Sequence, residues 1–326
     1  MPIATPLTTL LGIQHPILLA PMDVLAGSRL VTAVSRAGGF GILGGGYGEG
    51  AWLEQETAKL AGLSVPFGIG FITWSLAKRP ELLDIALAAK PSAIMLSFGD
   101  PAPFVPRIKS AGASLICQVQ DQAMAQQALD AGADVLIAQG TEAGGHGASR
   151  TTIDLVPAIV DLAAGRVPVV AAGGIADGRG LAAMMMLGAS GVLLGTRFYA
   201  SQEADGADEA KRRICAADSG STVRGIVFDL SRNNIWPAPF TGRCLVNDHA
   251  RRWIGREVEL MQNVASVAAD YAAAKAAGNF DVAAVIAGEA VGLIHDIPPA
   301  AEIVERIATE AEQHLAGRRN SIVSAA

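Results

Sequence analysis

Eight short apolar runs punctuate the chain as far as residue 198. They are HPILLAPM (15–22), FGILGGG (40–46), FGIGFI (67–72), SAIMLSF (92–98), SLICQV (114–119), DVLIAQG (134–140), VPVVAAGG (167–174) and GVLLGTRF (191–198). Each is dense in aliphatic residues and does not alternate with polar ones, as expected of strands buried on both faces of a parallel sheet. Between them lie segments with helical spacing, such as SRLVTAVSRAGG, QAMAQQALDAGA and RGLAAMMMLGAS. Several end in Ala-Gly or Leu-Gly, a helix stop just ahead of the next strand. A repeat of roughly 25 residues is one β-α unit. Eight units predict an α/β fold, a (β/α)8 TIM barrel. A doubly wound open sheet competes, and the number of units favours the barrel.

The pattern changes after Ala200. Residues 201–222 are polar with helical spacing, RNNIWPAPFTGRC (232–244) is irregular, and helical patterns return over 251–276, 281–291 and 298–316. We expect a barrel over 1–219, a small helical subdomain inserted after strand 8 over 220–297, and a C-terminal helix over 298–326 that packs back on the barrel.

Composition narrows the function classes. The 326 residues are 51% hydrophobic and 17% charged, which suits a compact enzyme core and not a disordered chain. A net charge of −6 gives no basic footprint, so no nucleic acid partner is expected. The apolar stretch LAAMMMLGASGVLLG is too short and too broken by glycine for a membrane span, and no signal peptide is evident. Three widely spaced cysteines have no metal spacing and read as reduced thiols of a cytoplasmic protein. Either a monomer or a homodimer fits.

In such a barrel, chemistry sits at the carboxyl ends of the strands. Here those ends carry Met22, Gly44-Gly45-Gly46, Gln139, Gly173-Gly174 and Gly195-Thr196. Glycines there let a ligand approach the backbone closely. Singly, each Gly pair reads as a tight turn. At two successive ends, after strands 7 and 8, they point to a phosphate site fed by backbone N–H groups at a helix start, with Asp177 as an N-cap. The match GFGILG (39–44) lies inside a strand and so lacks the context of a dinucleotide site.

The stretch AQGTEAGGHGA (138–148) strips side chains from around one histidine. It reads either as a flexible loop with a solvated His146 or as a place where a flat ligand meets the backbone and faces His146. Glu142 reads as an orienting partner of that loop rather than a catalytic group. Of the other histidines, His15 reads as structural, His249 and His314 as solvated on charged helical faces, and His295 as a turn residue. No HxxxH, HExxH or Cys cluster supports a metal, and no G-x-S-x-G elbow is present.

AQGTEAGGHG, AAGGIADGRG and LLGTRF, in this order, resemble the nitronate monooxygenase (2-nitropropane dioxygenase-like) family. LGIQHPILLAPM, AVSRAGGFGILGGGYG and IWPAPFTGR…WIGRE…AGEAVGLIHDI fit it too, so the resemblance spans nearly the whole chain. It implies an FMN-binding barrel in which Met22 lies against the flavin, Gln118, Gln139, Gly144 and Gly145 line it, and Gly173, Gly174, Gly195 and Thr196 hold the phosphate. His146 is then the active-site base or hydrogen-bond donor. The implied reaction is oxidation of alkyl nitronates, as small-molecule substrates, by dioxygen to a carbonyl compound and nitrite. The alternative is NAD(P)H-dependent reduction of quinones or enoyl thioesters, which shares the EAGGH and GGIADG motifs. Two positions depart from the common family pattern: Gly70 replaces Asn in strand 3, and Gln118 replaces Lys in strand 5. Without the Lys, less positive charge faces the flavin, which should lower its potential, although Gln118 can still donate a hydrogen bond.

Overall fold

A computed structural model describes the backbone of residues 3–323 and the side chains of residues 3–317. The outermost residues of the expected first and third segments, 1–2 and 324–326, lie outside the described residues. The strands are β1 (Ile17–Leu19), β2 (Gly41–Gly44), β3 (Phe67–Ile72), β4 (Ala93–Ser97), β5 (Ser114–Val119), β6 (Val135–Gln139), β7 (Gly145–Gly147), β8 (Val169–Ala172), β9 (Gly191–Leu194), β10 (Thr222–Gly225) and β11 (Thr241–Leu245). Eight of them form one parallel sheet in the order β1-β9-β8-β6-β5-β4-β3-β2. The seam closes where Leu18 bridges Phe40 and the Leu19 N–H donates to the Phe40 carbonyl at 2.9 Å. This is the (β/α)8 TIM barrel that the eight runs predict.

The runs do not alternate because both faces of each strand are dry. Leu18, Ile42, Met95, Ile116, Ile137 and Val170 point into the barrel lumen, whose bottom is stopped by Leu7 and Leu11 of the first helix, Pro6–Leu11. Their neighbours Ile17, Leu19, Leu43, Ile94 and Leu136 point outward and pack under the surrounding helices. The GFGILG glycines belong to this packing: a Cβ on Gly41 would lie 2.4 Å from the Val31 carbonyl oxygen.

The region after β9 is not purely helical, contrary to expectation. β10 and β11 pair antiparallel, and β11 also pairs with β7, so the AQGTEAGGHGA motif ends in a strand of a second, three-stranded sheet. The predicted helix over 251–276 is three helices, Asp248–Trp253, Glu257–Gln262 and Val264–Ala276, broken first at Gly255 with φ +79°. The predicted helix over 281–291 is mostly extended chain, with a 3-10 turn only at Glu289–Leu293. Residues 286–288 there lie over β7 and the motif, where Cys244 bridges Ile286 and the Glu289 N–H donates to the Glu142 carbonyl. The last helix, Ala300–Val323, packs on helices Gly178–Met186 and Ser28–Arg36, burying Ile303, Val304, Ile307 and Ala311. No helix among the described residues is long and apolar enough to cross a membrane.

Candidate active site

A cavity of about 410 Å³ opens at the carboxyl ends of the strands. Met22, Gln118, Gln139, Gly144, Gly145 and His146 all lie in its wall. A smaller space of about 100 Å³ adjoins it and shares Met22, Gln118, Gln139 and Gly144. The smaller space is walled by Gly173, Gly174, Gly195 and Thr196. The fold therefore brings every candidate site residue to one two-lobed cleft.

His146 is buried, and its position is fixed from three sides. Its Nε2 lies 2.9 Å and 3.1 Å from the two carboxylate oxygens of Asp229. A carboxylate accepts, so Nε2 is the protonated nitrogen and the lone pair is on Nδ1. No hydrogen bond to Nδ1 occurs among the described residues. Its ring stacks on the Trp236 indole at a centroid distance of 3.5 Å and an angle of 6°. Its backbone carbonyl accepts from Gln139 Nε2 at 3.0 Å, and Gln139 Oε1 in turn accepts from Gln120 Nε2 at 2.8 Å. Burial pushes the imidazole pKa below the ordinary histidine value, and Asp229 opposes that shift. Burial thus favours the neutral imidazole, and its Nδ1 has no hydrogen-bond partner among the described residues.

The motif loop is held by two arginines, Arg243 buried and Arg224 half-buried. Arg224 donates to the carbonyls of Thr141, Ala143, Gly145 and Thr241 and to the Thr141 hydroxyl. Arg243 donates to the Thr141 carbonyl at 2.9 Å and pairs with Glu289. Burial lowers the Arg224 pKa to about 10. Glu142 orients the loop: its oxygens accept from the Thr152 N–H at 2.9 Å and hydroxyl at 2.8 Å.

The glycines have a second explanation besides ligand room. A Cβ on Gly144 would lie 2.6 Å from the Gly288 nitrogen, so Gly144 makes way for the chain crossing at 287–288. A Cβ on Gly195 would meet nothing nearer than 3.7 Å, so that position opens on the cleft.

The expected donors at the start of helix Gly178–Met186 are not free. Gly178 N–H donates to Glu310 at 2.8 Å and Gly180 N–H to Asp177 at 3.0 Å. The N–H groups of Gly173, Gly174 and Gly195 have no acceptor among the described residues. Gly173 and Gly174 have φ of +109° and +72°, a backbone shape that can turn successive N–H groups toward one point. Thr196 Oγ1 accepts from the Gly288 N–H at 2.9 Å, which leaves its hydroxyl proton to donate. This donor set, without a competing free carboxylate, fits a phosphate.

Some site groups were not foreseen. Asp229 sits on the short helix Val227–Ser231, and its chain distance from His146 hides the pairing. The TVRG and TGRCL segments, read as a ribbon, would have placed the following helix over the motif. Tyr47, whose hydroxyl accepts from Trp236 Nε1 at 2.9 Å, and Lys275 also line the cavity. His249, expected to be solvated, is buried between Phe228 and Tyr271, with Nε2 2.8 Å from Ser231 Oγ. Its helix turns His249, Ala250 and Trp253 inward and Asp248 and the arginines outward. His314 is partly exposed on the last helix, 3.7 Å from Glu310, and His295 is exposed.

The family model described as nitronate monooxygenase matches residues 4–86 and 77–310. A dehydrogenase of Mycobacterium tuberculosis named for a methyl-oxo-octahydro-indene carboxyl-CoA is 30% identical over 97% of this chain and 98% of its own length. A nitronate monooxygenase of Metarhizium robertsii is 34% identical over 90% of this chain and 89% of its own. The solved structure of FabK from Thermotoga maritima superposes with a TM-score of 0.85 at 31% identity, covering 98% of this chain and 99% of that one. The chain is an oxidoreductase and belongs to the nitronate monooxygenase family.

Proposed function

We propose that the protein is an FMN-dependent nitronate monooxygenase that oxidises alkyl nitronates with dioxygen to a carbonyl compound and nitrite. The observation that carries this reading is the pairing of two lobes: a small one with unpartnered backbone N–H groups and a large one with a neutral, oriented histidine. Gly173, Gly174, Gly195 and Thr196 would hold the phosphate, and Met22, Gln118, Gln139, Gly144 and Gly145 the ring. In this reading residues 1–219 bind FMN, 220–297 close the substrate side and 298–326 brace the barrel. FMN, when bound, supplies the redox chemistry, accepting electrons that pass on to dioxygen.

The protein's part is binding, orientation and proton control. His146 Nδ1 takes the α-proton of a neutral nitroalkane, or its protonated form holds the negative nitro group of the nitronate. Asp229 keeps Nε2 protonated and so keeps the lone pair on Nδ1. Trp236 and Phe98 exclude water from one side of the cavity. The test is a steady-state assay of His146→Asn with nitrite as the product measured. Turnover of neutral nitroethane should fall by roughly 10²–10⁴-fold, the worth of a positioned base, while ethyl nitronate suffers less. Unchanged nitroethane turnover would remove the base role.

The full-length likeness to FabK and to a carboxyl-CoA dehydrogenase favours a second reading, reduction of an enoyl thioester or quinone by NAD(P)H. Anaerobic mixing with NADH and NADPH separates the two, because fast bleaching of the flavin belongs to the reductase.

A further inference from the structure

A separate chamber of about 220 Å³ lies beside the active-site cavity. Phe98 and Gln118 line both spaces. The other walls include Met124 and Ala128 from helix Gln122–Asp130, and Pro239 and Phe240 from the irregular loop. Among the described residues no Lys, Arg or His lines the chamber, and its one carboxylate, the exposed Asp100, accepts from the Ala102 N–H. Its polar side chains are otherwise the amides of Gln118, Gln120 and Gln127, and the rest of the wall, with Leu96, Val119, Met124, Ala128 and Phe240, is mostly apolar and suits a hydrocarbon chain.

Phe98 stands where the two spaces meet. Its ring stands edge-to-face with Trp236 and with Phe240, each at 5.1 Å. Its backbone has φ +66°, a left-handed conformation that is an outlier for a bulky residue. Such strain persists only where the surroundings over-determine it, and it clusters at ligand sites. A chain that needed only to turn here would carry Gly or Asn. An aromatic in this conformation places a flat ring where the two cavities meet, backed by the same Trp236 that stacks on His146.

We propose that this chamber is a tail subsite: it takes the unbranched hydrocarbon chain of a nitronate whose head lies at His146, with the chain passing Phe98. The proposal rests on the nitronate reading and narrows its substrate class to nitronates of medium chain length. Burying one methylene adds up to about fourfold in binding, the equivalent of ~0.8 kcal/mol.

The test compares ethyl, butyl and hexyl nitronate on the holoenzyme, with nitrite as readout. kcat/KM should rise at least about tenfold from ethyl to hexyl, within the fourfold-per-methylene ceiling. Ala128→Leu fills the chamber and should abolish the gain for hexyl while leaving ethyl nitronate unchanged. Gln127→Phe, at an exposed position of the same helix that also lines the chamber, is the second variant should Ala128→Leu fold poorly. A flat chain-length profile in the wild type, or a gain that survives both substitutions, overturns the subsite. If no nitronate is turned over at all, the functional reading fails instead, and the chamber is read by titrating 1-hexanol against tryptophan fluorescence. Saturation that is lost in Ala128→Leu supports the chamber as an apolar-chain site, and absence of saturation in the wild type overturns it.

Discussion

The imidazole of His146 lies flat on the indole of Trp236, 3.5 Å away and within 6° of parallel. The indole therefore covers one face of the imidazole and supplies part of the burial that lowers its pKa. Trp236→Leu opens that face to water. The desolvation that depresses the pKa is relieved, so the pKa rises toward the ordinary value. The neutral base is then lost at a higher pH as the solution is acidified. The acid limb of kcat/KM for nitroethane should move to higher pH, and the plateau should fall because the ring is no longer held. A pH profile of initial rates checks both.

Asp229→Asn should move the same limb the opposite way. Asp229 raises the His146 pKa against the larger effect of burial. Removing its charge leaves desolvation less opposed, and the limb shifts to lower pH. An Asn amide can also donate to Nε2, which favours the tautomer with its lone pair facing away from the cavity. The plateau should therefore drop by about tenfold or more, out of the roughly 10²–10⁴-fold that a positioned base supplies. Two variants that both slow the enzyme yet shift its pH limb in opposite directions separate burial from charge. Equal shifts would show that Asp229 does not face the working histidine.

The barrel was legible because its signal is local: buried parallel strands read as unbroken apolar runs, and most of the helices between them end in a glycine. Met22, Gln139, Gly173, Gly195 and His146 share one cleft because strand ends of a barrel converge, so naming the ends named the site. What was hidden depends on long-range pairing. Asp229 reaches His146 only because β11 pairs with both β10 and β7, and GHG is too short to be read as a strand. The packing role of one glycine was hidden for a related reason. Gly144 lines both lobes of the cleft and is also crowded by residues 287–288, whose path depends on the second sheet. His249 was misjudged because two neighbouring arginines suggested a solvated face, although the helix turns it inward.

Arg224 joins that sheet to the motif loop. Its guanidinium is shared among four backbone carbonyls and one hydroxyl. Arg224→Met removes every one of these donors and leaves half-buried carbonyls unpaired, at about 1–3 kcal/mol for each that finds no water. The urea midpoint should fall, and FMN should bind more weakly because Thr141–Gly145 loses its tether. Arg224→Lys should rescue little, since an ammonium lacks the planar fork that reaches several acceptors at once. Equilibrium unfolding and flavin fluorescence report the two effects separately.

The contrast between Gly144 and Gly195 gives the sharpest test of which glycines serve the cofactor. At Gly144 an added methyl would lie 2.6 Å from backbone on the facing segment. Backbone cannot swing aside as a side chain can, so Gly144→Ala should lose about 1–3 kcal/mol of stability through overpacking. At Gly195 the same methyl meets only Ala20 Cβ and Met22 Sδ at 3.7–3.8 Å, ordinary contact distances, and φ is negative. Gly195→Ala should therefore fold as well as the wild type but place a methyl in the smaller lobe. Its FMN dissociation constant should rise, while its urea midpoint without FMN stays unchanged. If Gly195→Ala binds FMN as tightly as the wild type, the phosphate does not sit at the end of β9.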